Sequence, residues 1–161
     1  MIFPTVGGEN LSGQTYILPY GLEGEFNLLM IAFEPAQQFL VRTWLPLLGQ
    51  LADQYTHFRY YQLPTLNRFG EDRRTFIDQA MRRGISDPNL RDQVITLYLD
   101  KAAFCQTLNI RGESTIYLLL IDHEGIIHWR TEGIATQHKK DDLATTVERL
   151  FQNQDTFPWE I

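Results

Sequence analysis

Two stretches of the chain, LLMIAF at residues 28–33 and IYLLLI at residues 116–121, are unbroken runs of six apolar residues, closed by Glu34 and Asp122. Runs this short and this apolar predict strands covered on both faces of a sheet. After the second run comes DHEG, then IIHWRT at residues 126–131, where polar and apolar positions mix. Alternation puts Ile127, Trp129 and Thr131 on one side of that segment and Ile126, His128 and Arg130 on the other, which predicts a strand with one buried and one wetter face. The pair forms a hairpin, with Gly125 best able to take a positive φ in its turn.

Helical spacing takes over between these strands. Leu40, Val41, Trp44, Leu47, Leu48, Leu51 and Tyr55 mark a long amphipathic helix over residues 36–55, with Pro46 in its middle. HFRYYQL at residues 57–63 reads as a strand ended by Pro64. Phe76, Ile77, Ala80 and Met81 make a helical stripe that Gly84 ends as a C-cap. Asp87 and Pro88 read as an N-cap and first-turn proline, VITLYL at residues 94–99 as a strand, and Asp100 as the cap of a helix over residues 101–109. Leu143, Val147, Leu150 and Phe151 give a C-terminal helix. Residues 1–13 read as a flexible or edge segment, and residues 14–26 as a short extended piece, a turn around Gly21 and Gly24, and a return to the sheet. The order strand, helix, strand, helices, strand, helix, hairpin, helix predicts an α/β three-layer sandwich: a central mixed sheet, helices on both faces, and a C-terminal hairpin plus helix. At 161 residues the length fits a single domain.

Charge narrows the partners. A net charge of -6 opposes binding to nucleic acid or anionic lipid. The one basic cluster, Arg73, Arg74, Arg82 and Arg83, shares its helix with Glu71, Asp72 and Asp78 and reads as a solvated face. No apolar run is long enough to span a bilayer, and the first residues lack the basic and apolar regions of a leader, so a cytoplasmic location is expected. One cysteine, Cys105, excludes an internal disulfide and a dithiol cycle. His57 and His138 are isolated, and His123, Glu124 and His128 read as solvated hairpin residues. No phosphate loop, nucleophile elbow or ligand spacing is present, so no catalytic residue, cofactor or metal is expected. Phe157, Trp159 and Ile161 near the C-terminus are residues that dock on their own domain or, in the alternative, on a partner.

The order of elements, the segment PLLGQLADQY at residues 46–55, and Ile110-Arg111-Gly112 followed by Thr115 resemble the thioredoxin fold in the elaborated version shared with peroxiredoxins. That resemblance puts Gln38 and Val41 where the two redox cysteines would stand and Ser114 where the cis-proline would stand. The Glu113-Ser114 bond is expected to be trans, because a cis bond there costs about 2.5 to 4 kcal/mol. LLMIAF, Val41-x-x-Trp44, YLLLIDHEGIIHW and Glu132-Gly133-Ile134-Ala135-Thr136, within residues 24–153, are similar to the thioredoxin-like family of mitochondrial ATPase-complex assembly factors. That family is implicated in assembling the membrane sector of ATP synthase through protein contacts and without known catalysis. The resemblance implies a redox-inactive protein that binds a protein partner. It also implies that the loop after the first strand, with Glu34, Gln37 and Gln38, lies beside the loop holding Ser114 and Thr115. The alternative is a one-cysteine peroxidase or reductase using Cys105, with Lys101 one turn back to favour the thiolate.

Overall fold

The computed structural model describes residues 1–154, and the aromatic segment at residues 157–161 lies outside them. The strands are β1 (Val6–Asn10), β2 (Thr15–Leu18), β3 (Phe26–Ala32), β4 (Phe58–Leu66), β5 (Ile95–Tyr98), β6 (Tyr117–Asp122) and β7 (Ile127–Glu132). The helices are α1 (Gln38–Gln54), α2 (Glu71–Gly84), α3 (Pro88–Asp92), α4 (Lys101–Thr107) and α5 (Gln137–Gln154). The sheet runs β2-β1-β5-β4-β3-β6-β7, with β3–β4 and β4–β5 parallel and the remaining pairs antiparallel. This is the expected mixed α/β architecture, closed by a hairpin and a helix.

Alternate side chains of the unbroken runs enter two separate cores. Leu28 and Met30 of β3, with Leu118 and Leu120 of β6, meet Val41, Trp44, Leu48 and Leu51 of α1 and Leu143 and Val147 of α5. Leu29 and Ile31, with Leu119 and Ile121, meet Phe104, Cys105 and Leu108 on the α4 side. Both faces exclude water, so both parities must be apolar. Asn27 is the polar exception in β3: it is fully buried, with its Oδ1 accepting from Gly24 N and its Nδ2 donating to Gly24 O, both at 2.9 Å.

Four expectations are corrected. Residues 6–10 are not at the edge of the sheet, because β1 pairs with β2 on one side and β5 on the other. A Cβ on Gly8 would lie 2.6 Å from Ile95 Cγ2, so this glycine, which looked like part of a loop signal, is what lets β1 approach β5. Pro64 does not end β4, which continues to Leu66. Its missing N–H instead opens a gap in the β5 ladder, between the bridge Gln62↔Val94 and the pair Thr65↔Leu97. Gly84 is the last residue of α2, with Ile85 as the cap, and Phe76 of the supposed core stripe is 66% exposed.

The fourth correction concerns β7. Leu120 pairs with Trp129 and Ile121 with Ile127, which leaves His128 as the extra residue of a bulge. Ile127 therefore packs on the α4 side and Trp129 on the α1 side, rather than sharing a face.

Both rims of the sheet are covered in part by the chain itself. At β2, Gly21 folds back and donates its N–H to Ile17 O at 2.7 Å. At β7, Ile127 N donates to Met1 O at 3.0 Å, and Ile2 bridges to Ile126.

Candidate functional site

The site forms where β3 hands over to α1. Pro35 opens a 3-10 turn, Pro35–Gln37, in which Gln37 N donates to Glu34 O at 3.0 Å, and α1 follows directly. Gln37 is buried, and its side chain joins two loops: Oε1 accepts from Phe33 N at 2.8 Å and Nε2 donates to Glu113 O at 2.6 Å. The expected neighbourhood of the two loops is thus made by one side chain. Glu34 and Ser114 are exposed, Thr115 is half-buried, and among the described residues no hydrogen bond links Gln38 to Ser114 or Thr115. Glu113-Ser114 is trans, as expected, since the one cis bond among the described residues is Leu18-Pro19.

Gln38 sits on the first turn of α1 and donates from Nε2 to Gln62 Oε1 of β4 at 3.2 Å. Val41, one turn on, is fully buried beside Trp44 in the α1 core and does not reach the surface. The helix start has no side-chain cap and no acidic residue in its first turn.

A third loop completes the rim. Trp44 Nε1 donates to Gly133 O at 2.9 Å, and Thr43 Oγ1 accepts from Ala135 N at 3.0 Å. Gly133 has φ +81, and a Cβ there would lie 3.6 Å from Thr115 Oγ1. Phe39 and Ile134 flank this region with 60% and 50% of their surface exposed. Sequence reading missed Phe39, Gln62 and Ile134. Phe39 carried a signal, since it falls off the apolar stripe of α1 and so had to face outward.

Cys105 lies on the other side of the sheet, buried in the α4 core. Burial pushes its thiol above the usual range, Glu113 adds to that, and Lys101 opposes it only in part. Lys101 is instead paired with Glu113 at 2.7 Å. His128 Nε2 lies 2.9 Å from Asp122 Oδ2 in the hairpin. Burial alone would raise the Asp122 carboxyl, but hydrogen bonds from His128, Ile126 N and Glu124 N outweigh it and hold the group below its ordinary value. No group of three or more metal-ligating side chains occurs among the described residues. No described helix is long and apolar enough to cross a membrane.

No protein-family model matches the chain, and no curated protein matches it. Solved structures do. A member of the Sco family of cytochrome c oxidase assembly proteins is similar at TM-score 0.63 and 14% identity, over 92% of this chain and 92% of that one. A thiol-disulfide oxidoreductase from Bacteroides fragilis is similar at TM-score 0.60 and 13% identity, over 90% and 98% of the two chains. The pneumococcal exposed lipoprotein thioredoxin from Streptococcus pneumoniae is similar at TM-score 0.59 and 16% identity, over 91% and 99%. At such identities the likeness is one of fold, and the fold is thioredoxin-like.

Proposed function

We propose that this thioredoxin-fold chain carries out no thiol redox chemistry and acts by binding a protein partner at the rim formed by Glu34, Gln37, Gln38, Ser114 and Thr115. The observation that carries the reading is the state of α1. Gln38, half-buried, occupies the first redox position, Val41 is sealed in the core, and the chain's one cysteine lies on the other face of the sheet. Thioredoxin chemistry needs a low-pKa thiolate at a helix start and a second thiol to resolve the mixed disulfide. Neither is available at this rim, while the half-buried Thr115 and the exposed Phe39 and Ile134 remain as a surface that suits an extended protein segment.

We assign the partner to a complex under assembly, with ATP synthase the candidate that the local sequence resemblance names. That one similar structure belongs to a family of cytochrome c oxidase assembly proteins is in keeping with such a role. The enzyme alternative through Cys105 loses ground to the burial and raised pKa of that thiol.

Two measurements test the reading. Cys105 reacts with a thiol reagent slowly in the native protein and fast after denaturation, with disulfide reductase activity at background. Native labelling that is fast at acidic pH, or peroxide turnover lost in Cys105→Ser, would establish the enzyme instead. With the chain as bait, the partner identified by mass spectrometry is retained by wild type and lost from Gln38→Lys combined with Thr115→Arg, at unchanged melting temperature. Retention by that variant, with loss on deletion of residues 157–161, moves the interface to the tail.

A further inference from the structure

The hydrogen bond between Gln38 Nε2 and Gln62 Oε1 leaves half of each carboxamide unused. Among the described residues, Gln62 Nε2 donates to nothing and Gln38 Oε1 accepts from nothing. Gln62 is only 8% exposed, held on β4 by its own N–H to Gln93 O at 2.8 Å. No buried polar side-chain atom lacks a partner among the described residues, so the free Gln62 Nε2 is the part of the group that solvent reaches, while a side chain so largely covered has lost much of its rotamer freedom in the folded state.

We propose that Gln38 and Gln62 form an amide-recognition site, in which Gln62 Nε2 donates to the carbonyl oxygen, and Gln38 Oε1 accepts the N–H, of one amide group on a protein partner. The inference rests on the reading of this rim as a protein-binding surface and names the chemistry it recognises. Free groups of opposite sense argue for a neutral ligand that carries both. A carboxylate would satisfy Gln62 Nε2 but face the lone pairs of Gln38 Oε1 and the charge of Glu34 at the same helix end. An ammonium would satisfy Gln38 Oε1 and repel Gln62 Nε2. An amide uses both, and the bond already joining the two glutamines polarises each free group toward it. Because Gln62 is immobilised before binding, little ordering cost remains. Phe39, exposed on the adjacent helical position, offers apolar contact to whatever flanks the amide.

The test follows the glutamine side-chain N–H2 resonances of 15N-labelled protein during titration with N-methylacetamide, a main-chain mimic, propionamide, a side-chain mimic, and sodium acetate at matched ionic strength. The amides shift the Gln38 and Gln62 resonances saturably and acetate does not. The tighter of the two amides tells whether the partner presents main chain or an Asn or Gln side chain. In Gln62→Met, followed at Gln38, the midpoint rises about threefold to tenfold, the worth of one hydrogen bond. Gln38→Met, followed at Gln62, serves as the second variant should the first not fold. Linear shifts, equal shifts with acetate, or an unmoved midpoint overturn the site. Partner capture that falls with Gln38→Lys and Thr115→Arg but not with Gln62→Met also overturns it, while leaving the docking surface itself intact.

Discussion

Trp44→Ala lowers the free energy of unfolding by about 3 to 5 kcal/mol in urea denaturation, the largest effect expected of any single substitution in this chain. The side chain is fully buried, sits edge-on to Trp129 with centroids 6.2 Å apart, and donates Nε1 to Gly133 O at 2.9 Å. Alanine removes the ring from the middle of the α1 core and takes away that donor. The loss is comparable to the whole stability of a marginal domain, so part of the population unfolds at ambient temperature. Trp44→Phe separates the two contributions, because it keeps most of the volume and loses the hydrogen bond, for about 1 to 2 kcal/mol. A loss under about 1 kcal/mol for the alanine variant would mean that α1 does not rest on this residue.

Gly8→Val follows, with a loss of about 2 to 3 kcal/mol from overpacking. A Cβ there meets Ile95 Cγ2 at 2.6 Å, Leu97 Cδ2 at 2.9 Å and Thr96 O at 3.1 Å. Its neighbour is the control. A Cβ on Gly7 meets nothing closer than 4.0 Å, so Gly7→Ala is neutral or gains up to about 1 kcal/mol from relieving glycine's backbone entropy. Thermal unfolding of Gly8→Val and Gly7→Ala side by side decides the matter, and equal effects would show that β1 is not packed against β5.

Those two glycines mark the limit of what the sequence makes legible. Strands β3 and β6 are plain because a sheet buried on both faces demands apolar residues at both parities, and the residues obey. In β1, Gly8 contributes through the volume it lacks, which no hydrophobic pattern records, and nothing in the sequence separates it from Gly7, where a side chain has room. Pro64 and His128 fail as signals for a related reason. A gap in one ladder and a bulge in another are decided by what the neighbouring strand does, and alternation within a single strand cannot reveal it. At the rim, the positions of Gln38, Val41 and Ser114 follow from the helix start and the loop before the hairpin, both visible as sequence segments. Gln62 is different: its place beside Gln38 depends on how β4 registers against β3, and Ile134 reaches the rim only because Trp44 fixes the carbonyl of Gly133.

The way Gly21 closes over Ile17, and Met1 and Ile2 over the start of β7, bears on how the protein behaves in a crowded solution. An open strand is a template on which any passing chain can grow, and sheets grown that way do not stop at dimers. Here one rim is stoppered at its middle by a backbone turn. The other is capped at its first residues and beyond them carries the charged side chains Arg130 and Glu132, of the kind that blunts an edge strand. A sheet covered in this way leaves the loops at the start of α1 open to solvent while both edge strands stay partly occupied by the chain's own backbone.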